Sequence, residues 1–129
     1  MAQIKQALLV DDDEDMVIEL ESVLVSMGFK VTTIQDLEQI NETLGVHQYQ
    51  LALVNKPIPE MGWRKTLRTV KMASRSTTVI MITRHAQEED IRNALSAGAY
   101  LVMQRPISQE KLANLIAFDS DELFILLRG

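Results

Sequence analysis

Leu51-Ala52-Leu53-Val54-Asn55-Lys56-Pro57-Ile58-Pro59 decides how the chain folds. Four consecutive apolar residues end on one polar residue and then a proline-rich turn, the pattern of a short strand buried on both faces. Pro57 and Pro59 have no N–H to give to a ladder, so sheet pairing stops near Asn55. Asn55 therefore stands at the carboxyl end of a central strand, where open α/β sheets carry their sites.

Working outward toward the amino terminus, Ala7 to Val10 is a second buried-strand run, followed at once by Asp11-Asp12-Asp13-Glu14-Asp15. Met16, Val17, Leu20, Val23, Leu24 and Met27 then recur at helical spacing, and Gly28 supplies a helix stop. Carboxylates suit the positive end of that helix, which accounts for Asp13 to Asp15 but does not require Asp11 and Asp12. Phe29 to Ile34 reads as a strand, and Asp36 to Leu44 as a short helix stopped by Gly45. Beyond the proline turn, a helix is expected over Trp63 to Ser74 with Leu67, Val70 and Met72 turned inward. Val79 to Thr83 is a strand, Glu88 to Ala97 a helix stopped by Gly98, and Tyr100 to Gln104 a strand ended by Pro106. Ser108 then caps a last helix carrying Leu112, Leu115 and Ile116. Strands alternating with helices in this way predict an α/β fold: a five-stranded parallel sheet covered on both faces. Right-handed crossovers leave the flavodoxin-like order 2-1-3-4-5 as the leading topology.

At 129 residues the chain is expected to form one domain, with a core over about 5–119 and a helical extension over about 120–129. It has no cysteine, which excludes a disulfide framework, a thiolate nucleophile and a Cys-based zinc site. The opening residues show no signal-peptide pattern, and no apolar run approaches the ~20 residues that span a bilayer. A cytoplasmic protein with no membrane partner is expected. The net charge of −5 conceals an asymmetry: residues 1–50 carry two basic and ten acidic side chains, residues 51–107 nine basic and four acidic. That is one acidic edge and one basic edge, not the uniformly basic balance of a nucleic-acid binder.

Asp11 and Asp12, Asn55, Thr83 and Arg105 fall at successive strand ends on one edge of the expected sheet. With Leu8 to Asp15, Asn55 to Pro59, Met81 to Thr83, Ala97-Gly98-Ala99 and Arg105-Pro106 in order, the whole chain resembles the response-regulator receiver domain of two-component signalling and phosphorelays. The resemblance implies an acidic pair for Mg²⁺ at Asp11 and Asp12 and a switch hydroxyl at Thr83. It places Asn55 on the aspartate that takes the phosphoryl group and Arg105 on the lysine before proline. These two are departures. An amide is neutral and a poor nucleophile, although its oxygen can still coordinate a hard cation. The resemblance thus implies a pseudo-receiver: no catalytic residue, no phosphotransfer to position 55, and Mg²⁺ bound weakly or not at all. Arg84 takes the place of a small family residue beside the phosphoryl donor's path, and Lys56 follows Asn55, so both are candidates to crowd the pocket. An Arg guanidinium doing the work of Mg²⁺ is the expected arrangement. The aromatic that rearranges in the family falls at Val102.

Several of these residues also have plainer readings. Asn55 can serve only to satisfy backbone groups of the turn, and its amide can also be an engineered change. Against that, Arg84, Pro57 and Arg105 have changed with it. Asp13, Glu14 and Asp15 read as capping and solvent-facing charge, and Arg64, Arg68, Lys71 and Arg75 as a solvated basic stripe. Trp63 reads as helix-start packing, and His47 and His85 show no ligand spacing. Leu123 to Leu127 is unbroken apolar sequence, which completes the core or offers a surface to a partner or a second copy of the chain. The expected function is phosphorylation-independent protein–protein interaction in signalling. The resemblance places a signalling or kinase partner on the fourth helix, fifth strand and fifth helix. Two alternatives stand beside it: a conventional receiver phosphorylated on a neighbouring acid such as Asp12, and a small flavodoxin-like enzyme or ligand binder. The second lacks a Gly-rich phosphate loop, a paired His or a nucleophile elbow.

Overall fold

The computed structural model describes residues 5–11, 13–35, 39–45, 48–55, 62–73, 75–84, 87–104, 107, 110, 112 and 114. Among them five strands alternate with four helices: β1 (Lys5–Val10), α1 (Glu14–Ser26), β2 (Phe29–Ile34), α2 (Ile40–Leu44), β3 (Leu51–Asn55), α3 (Trp63–Ala73), β4 (Thr78–Thr83), α4 (Glu88–Ser96) and β5 (Leu101–Gln104). Backbone at Glu110, Leu112 and Asn114 is also helical. The strands form one all-parallel sheet in the order β2-β1-β3-β4-β5, as the alternation and crossover rule predict.

The period of two along each strand divides the core. Leu8, Val10, Ala52, Val54, Val79 and Met81 face α2, α3 and α4, with Tyr49, Leu67, Val70 and Ala94 packed among them. Ala7, Leu9, Leu51, Leu53, Ile80 and Ile82 face α1 and Leu112, with Val17, Leu20, Val23 and Leu24 packed among them. All five residues of β3 are buried, as befits the middle of a sheet covered on both sides. Gly98, at φ +111°, ends α4 in a conformation that side chains rarely adopt, and a Cβ there would lie 2.9 Å from Lys71 Cγ.

Four expectations need correcting. Met72 is 82% exposed: it lies two residues, or about 200°, beyond Val70 around the helix, so an apolar side chain there points away from the sheet. The short second helix begins at Ile40, behind a 3₁₀ turn at Gln39; residues 36–38 lie outside the described ones. Lys71 is not part of a solvated stripe, because its Nζ donates to Arg75 O at 2.8 Å and Thr77 O at 2.9 Å, closing the turn after α3. Arg75 lies beyond the end of α3 and does not continue its face. Ser74, Ser108, Leu115, Ile116 and the extension over 120–129 fall outside the described residues.

Candidate functional site

The site is set by register. β1 and β3 pair up to Val10↔Val54, so one step further puts Asp11 beside Asn55 on the same face. Asp11 N donates to Ile34 O at 3.1 Å, which ties the end of β1 to β2 and holds the carboxylate at the sheet's rim. Both side chains are buried, Asp11 at 1% and Asn55 at 2% exposure.

Asn55 Nδ2 donates to Asp11 Oδ1 at 2.7 Å. The opposite amide orientation would set two acceptors against each other, so the donor faces the carboxylate. Asp11 Oδ1 also accepts from Asp13 N at 2.9 Å. Hydrogen bonds of this kind to an ionised acceptor contribute about 1.5–3 kcal/mol each. Asn55 Oδ1 is buried and has no hydrogen-bond partner among the described residues. Asp13 is the N-cap of α1, accepting from Asp15 N at 3.1 Å and Met16 N at 3.3 Å. The capping role read from the sequence for Asp13 therefore stands, and Asp11 is separate from it.

Thr83 ends β4 and is buried. It lies one register position beyond Ile82, the partner of Asn55, and pairs with Gln104 across the sheet. It continues the Val79, Met81 series toward α3 and α4. Val102 pairs with Met81 and is partly buried against the same side of the core. Arg84 follows Thr83 with its side chain exposed. Asp12, Lys56, Arg105, His47 and His85 lie outside the described residues. Trp63 packs partly buried against the core at the start of α3, with the Arg64 guanidinium 5.4 Å from its ring centroid.

Asp11 Oδ1 is engaged by two N–H donors, one of them the Asn55 amide, while Asn55 Oδ1 is left as a buried oxygen beside it. Among the described residues no three His, Cys, Asp or Glu side chains gather where they could hold a metal ion. What the sequence reading missed is the direct Asn55–Asp11 bond. Asp11 follows β1 by one position and Asn55 ends β3, but that the two stand side by side depends on a register the sequence does not show.

Comparison with known proteins follows the same outline. Residues 7–117 match the response regulator receiver domain family. Over 108 residues the chain is 30% identical to the autoinducer 2 sensor kinase/phosphatase LuxQ of Vibrio vulnificus, covering 83% of this chain and 13% of that one. It is 26% identical over 113 residues to the response regulator protein PilR of Pseudomonas aeruginosa, covering 88% and 25%. The chain thus spans well under half the length of these curated relatives. Among solved structures, a CheY-like receiver domain protein from Methanospirillum hungatei superposes with a TM-score of 0.82 at 22% identity, covering 98% of both chains. The receiver domain of a sensor histidine kinase from Pseudomonas aeruginosa, with a magnesium ion coordinated in its active-site cleft, superposes at 0.77 and 23% identity, covering 88% and 95%. No helix of the described residues is long and apolar enough to cross a membrane. With residues 7–117 matching that family and the sheet in the order β2-β1-β3-β4-β5, this chain belongs to the response-regulator receiver domains of two-component signalling.

Proposed function

We propose that this receiver domain is a non-enzymatic module that takes no phosphoryl group at position 55 and acts through protein–protein contact. The observation that carries the reading is the 2.7 Å hydrogen bond from Asn55 Nδ2 to Asp11 Oδ1. A carboxylate attacks phosphorus through a charged oxygen and forms an acyl phosphate; the Asn55 amide offers no such oxygen. Its nitrogen instead donates to one oxygen of Asp11. A solved relative from Burkholderia pseudomallei carries a phosphorylated aspartic acid and a calcium ion. No step of the present reading runs through a divalent ion. The missing charge matters: a unit charge ~4 Å away is worth roughly 4 kcal/mol at an effective dielectric of 20.

A ligand moves a two-state equilibrium only by its differential affinity for the two states. Without a phosphoryl group, the conformation is set by whichever signalling or kinase partner the domain meets. α4 with half-exposed Leu95, the edge strand β5 and the last helix form the face for that partner.

The test is incubation with acetyl phosphate or a cognate kinase in Mg²⁺, read by intact mass. The expected result is no phosphoryl adduct on the native chain and stoichiometric adduct on Asn55→Asp. Stoichiometric label on the native chain that disappears in Asp12→Asn would overturn the reading in favour of a neighbouring acid.

A further inference from the structure

α1 carries acidic residues and no basic one, and α3 carries basic residues and no acidic one. On α1 the exposed positions include Glu14, Asp15, Ile18, Glu19, Ser22 and Val25; on α3 they include Arg64, Lys65, Arg68 and Met72. Among the described residues none of these charged side chains is in an ion pair; Arg64 lies over its own neighbour Trp63. Each charged helix also exposes apolar side chains. Ile18 at 66%, Val25 at 60% and Met72 at 82% are the most exposed large hydrophobic side chains described. Beside Ile18 a groove of about 320 Å³ opens between α1 and Ile107, floored by Leu20 and Val23. A flexible thioether fills such an irregular recess well.

The two faces lie on opposite sides of the sheet, because α1 packs on one core layer and α3 on the other. Neither can satisfy the other within one molecule. Each can do so between molecules, acid against base and Met72 against the groove.

We infer that the chain associates with further copies of itself head to tail, the acidic face of α1 on one copy docking on the basic face of α3 of the next. The patches differ, so the contact is heterologous and does not close as a twofold dimer; each docked pair keeps one free face of each kind. Pairing like with like would set acid on acid or base on base, which selects the mixed contact. Exposed charges more than ~10 Å apart are screened at 0.1 M salt, so the assembly is salt-sensitive.

The experiment is sedimentation velocity on the full chain from micromolar to millimolar concentration, at low and at high salt. The average mass is expected to climb from the 14.6 kDa monomer past the dimer as concentration rises, and to fall back in high salt. Two charge reversals then test the faces: Asp15→Lys with Glu19→Lys on α1, and Arg64→Glu with Arg68→Glu on α3. All four positions are exposed, so the fold is retained, which circular dichroism checks. Each reversed protein alone should remain monomeric. Their one-to-one mixture should reassemble, because every α1 face then meets an α3 face of opposite sign. Met72→Asp should weaken assembly at least about tenfold, the scale of one lost apolar side-chain contact. Four results would each overturn the inference: a monomer throughout in low salt, a mass that stops at the dimer, assembly that survives either reversal, or a mixture that does not recover.

Discussion

At the amino end of β3, Gln50 N donates to Gln6 O at 2.9 Å, Thr78 N donates to Gln50 O at 3.0 Å, and Thr77 Oγ1 donates to Tyr49 O at 2.7 Å. At its carboxyl end, Asn55 gives Nδ2 to Asp11 and keeps Oδ1 buried with no described partner. Both ends are polar, and both are close to the strands on either side. The amino end commits its groups to backbone partners and so fixes which residues of β1, β3 and β4 stand opposite one another. The carboxyl end pairs two side chains instead, and its balance turns on one group, the Asn55 NH₂. A pairing made of backbone resists substitution at the side-chain level; one made of side chains can be inverted by a single residue.

The largest effect should come from inverting it. Asn55→Asp sets two carboxylates side by side in a buried site and removes the donor that Asp11 now has. In metal-free buffer the variant should be about 2–4 kcal/mol less stable to urea, the scale of like charges ~4 Å apart at moderate dielectric. Added Mg²⁺ should return most of that loss, and divalent affinity should rise by roughly two to three orders of magnitude over the native chain. An unchanged urea midpoint without metal would mean that the Asn55 amide is not what balances Asp11.

Thr77→Val tests the other end of the strand. Thr77 is fully buried, and valine keeps its shape while deleting the hydroxyl that meets Tyr49 O. The expected loss is about 1–3 kcal/mol, the usual cost of a buried backbone acceptor left without its donor. Mg²⁺ should recover none of it. Should the ion rescue this variant as well as Asn55→Asp, the two ends would not be independent.

How far the sequence foretold each region follows from the same physics. The strands were legible because apolar runs between turn residues have few other readings. Order 2-1-3-4-5 followed from parallel pairing and crossover hand. Asp11, Asn55 and Thr83 were placed at strand ends because Pro57 and the acidic run mark where pairing stops. The Asn55–Asp11 bond was not foreseen, since it depends on register between strands 44 residues apart in sequence, and registers are set by packing. The expectation of a guanidinium beside Asp11 drew on charge counting and involves Arg105, which lies outside the described residues. Met72 was misplaced because apolar character was weighed above helical phase. Lys71 looked like surface charge because sequence does not show that the turn after α3 brings two carbonyls within reach of its ammonium.

The smallest effect belongs to Gln50→Ala. Gln50 is exposed, and its Oε1 accepts from Gln6 N at 2.6 Å, imitating a ladder bond one step beyond the pairing of β1 and β3. At the sheet's rim water can take over that acceptor's role, so the loss should be about 0.5 kcal/mol or less. The backbone bond from Gln50 N to Gln6 O is untouched by the substitution, and register should persist. Amide shifts should move at Gln6 and stay fixed at Asn55 and Thr83. A loss above ~2 kcal/mol, or shifts that travel the length of β3, would show that this side chain helps set the register. In that case the amino end would depend on side chains as much as the carboxyl end does, and the contrast between them would fail.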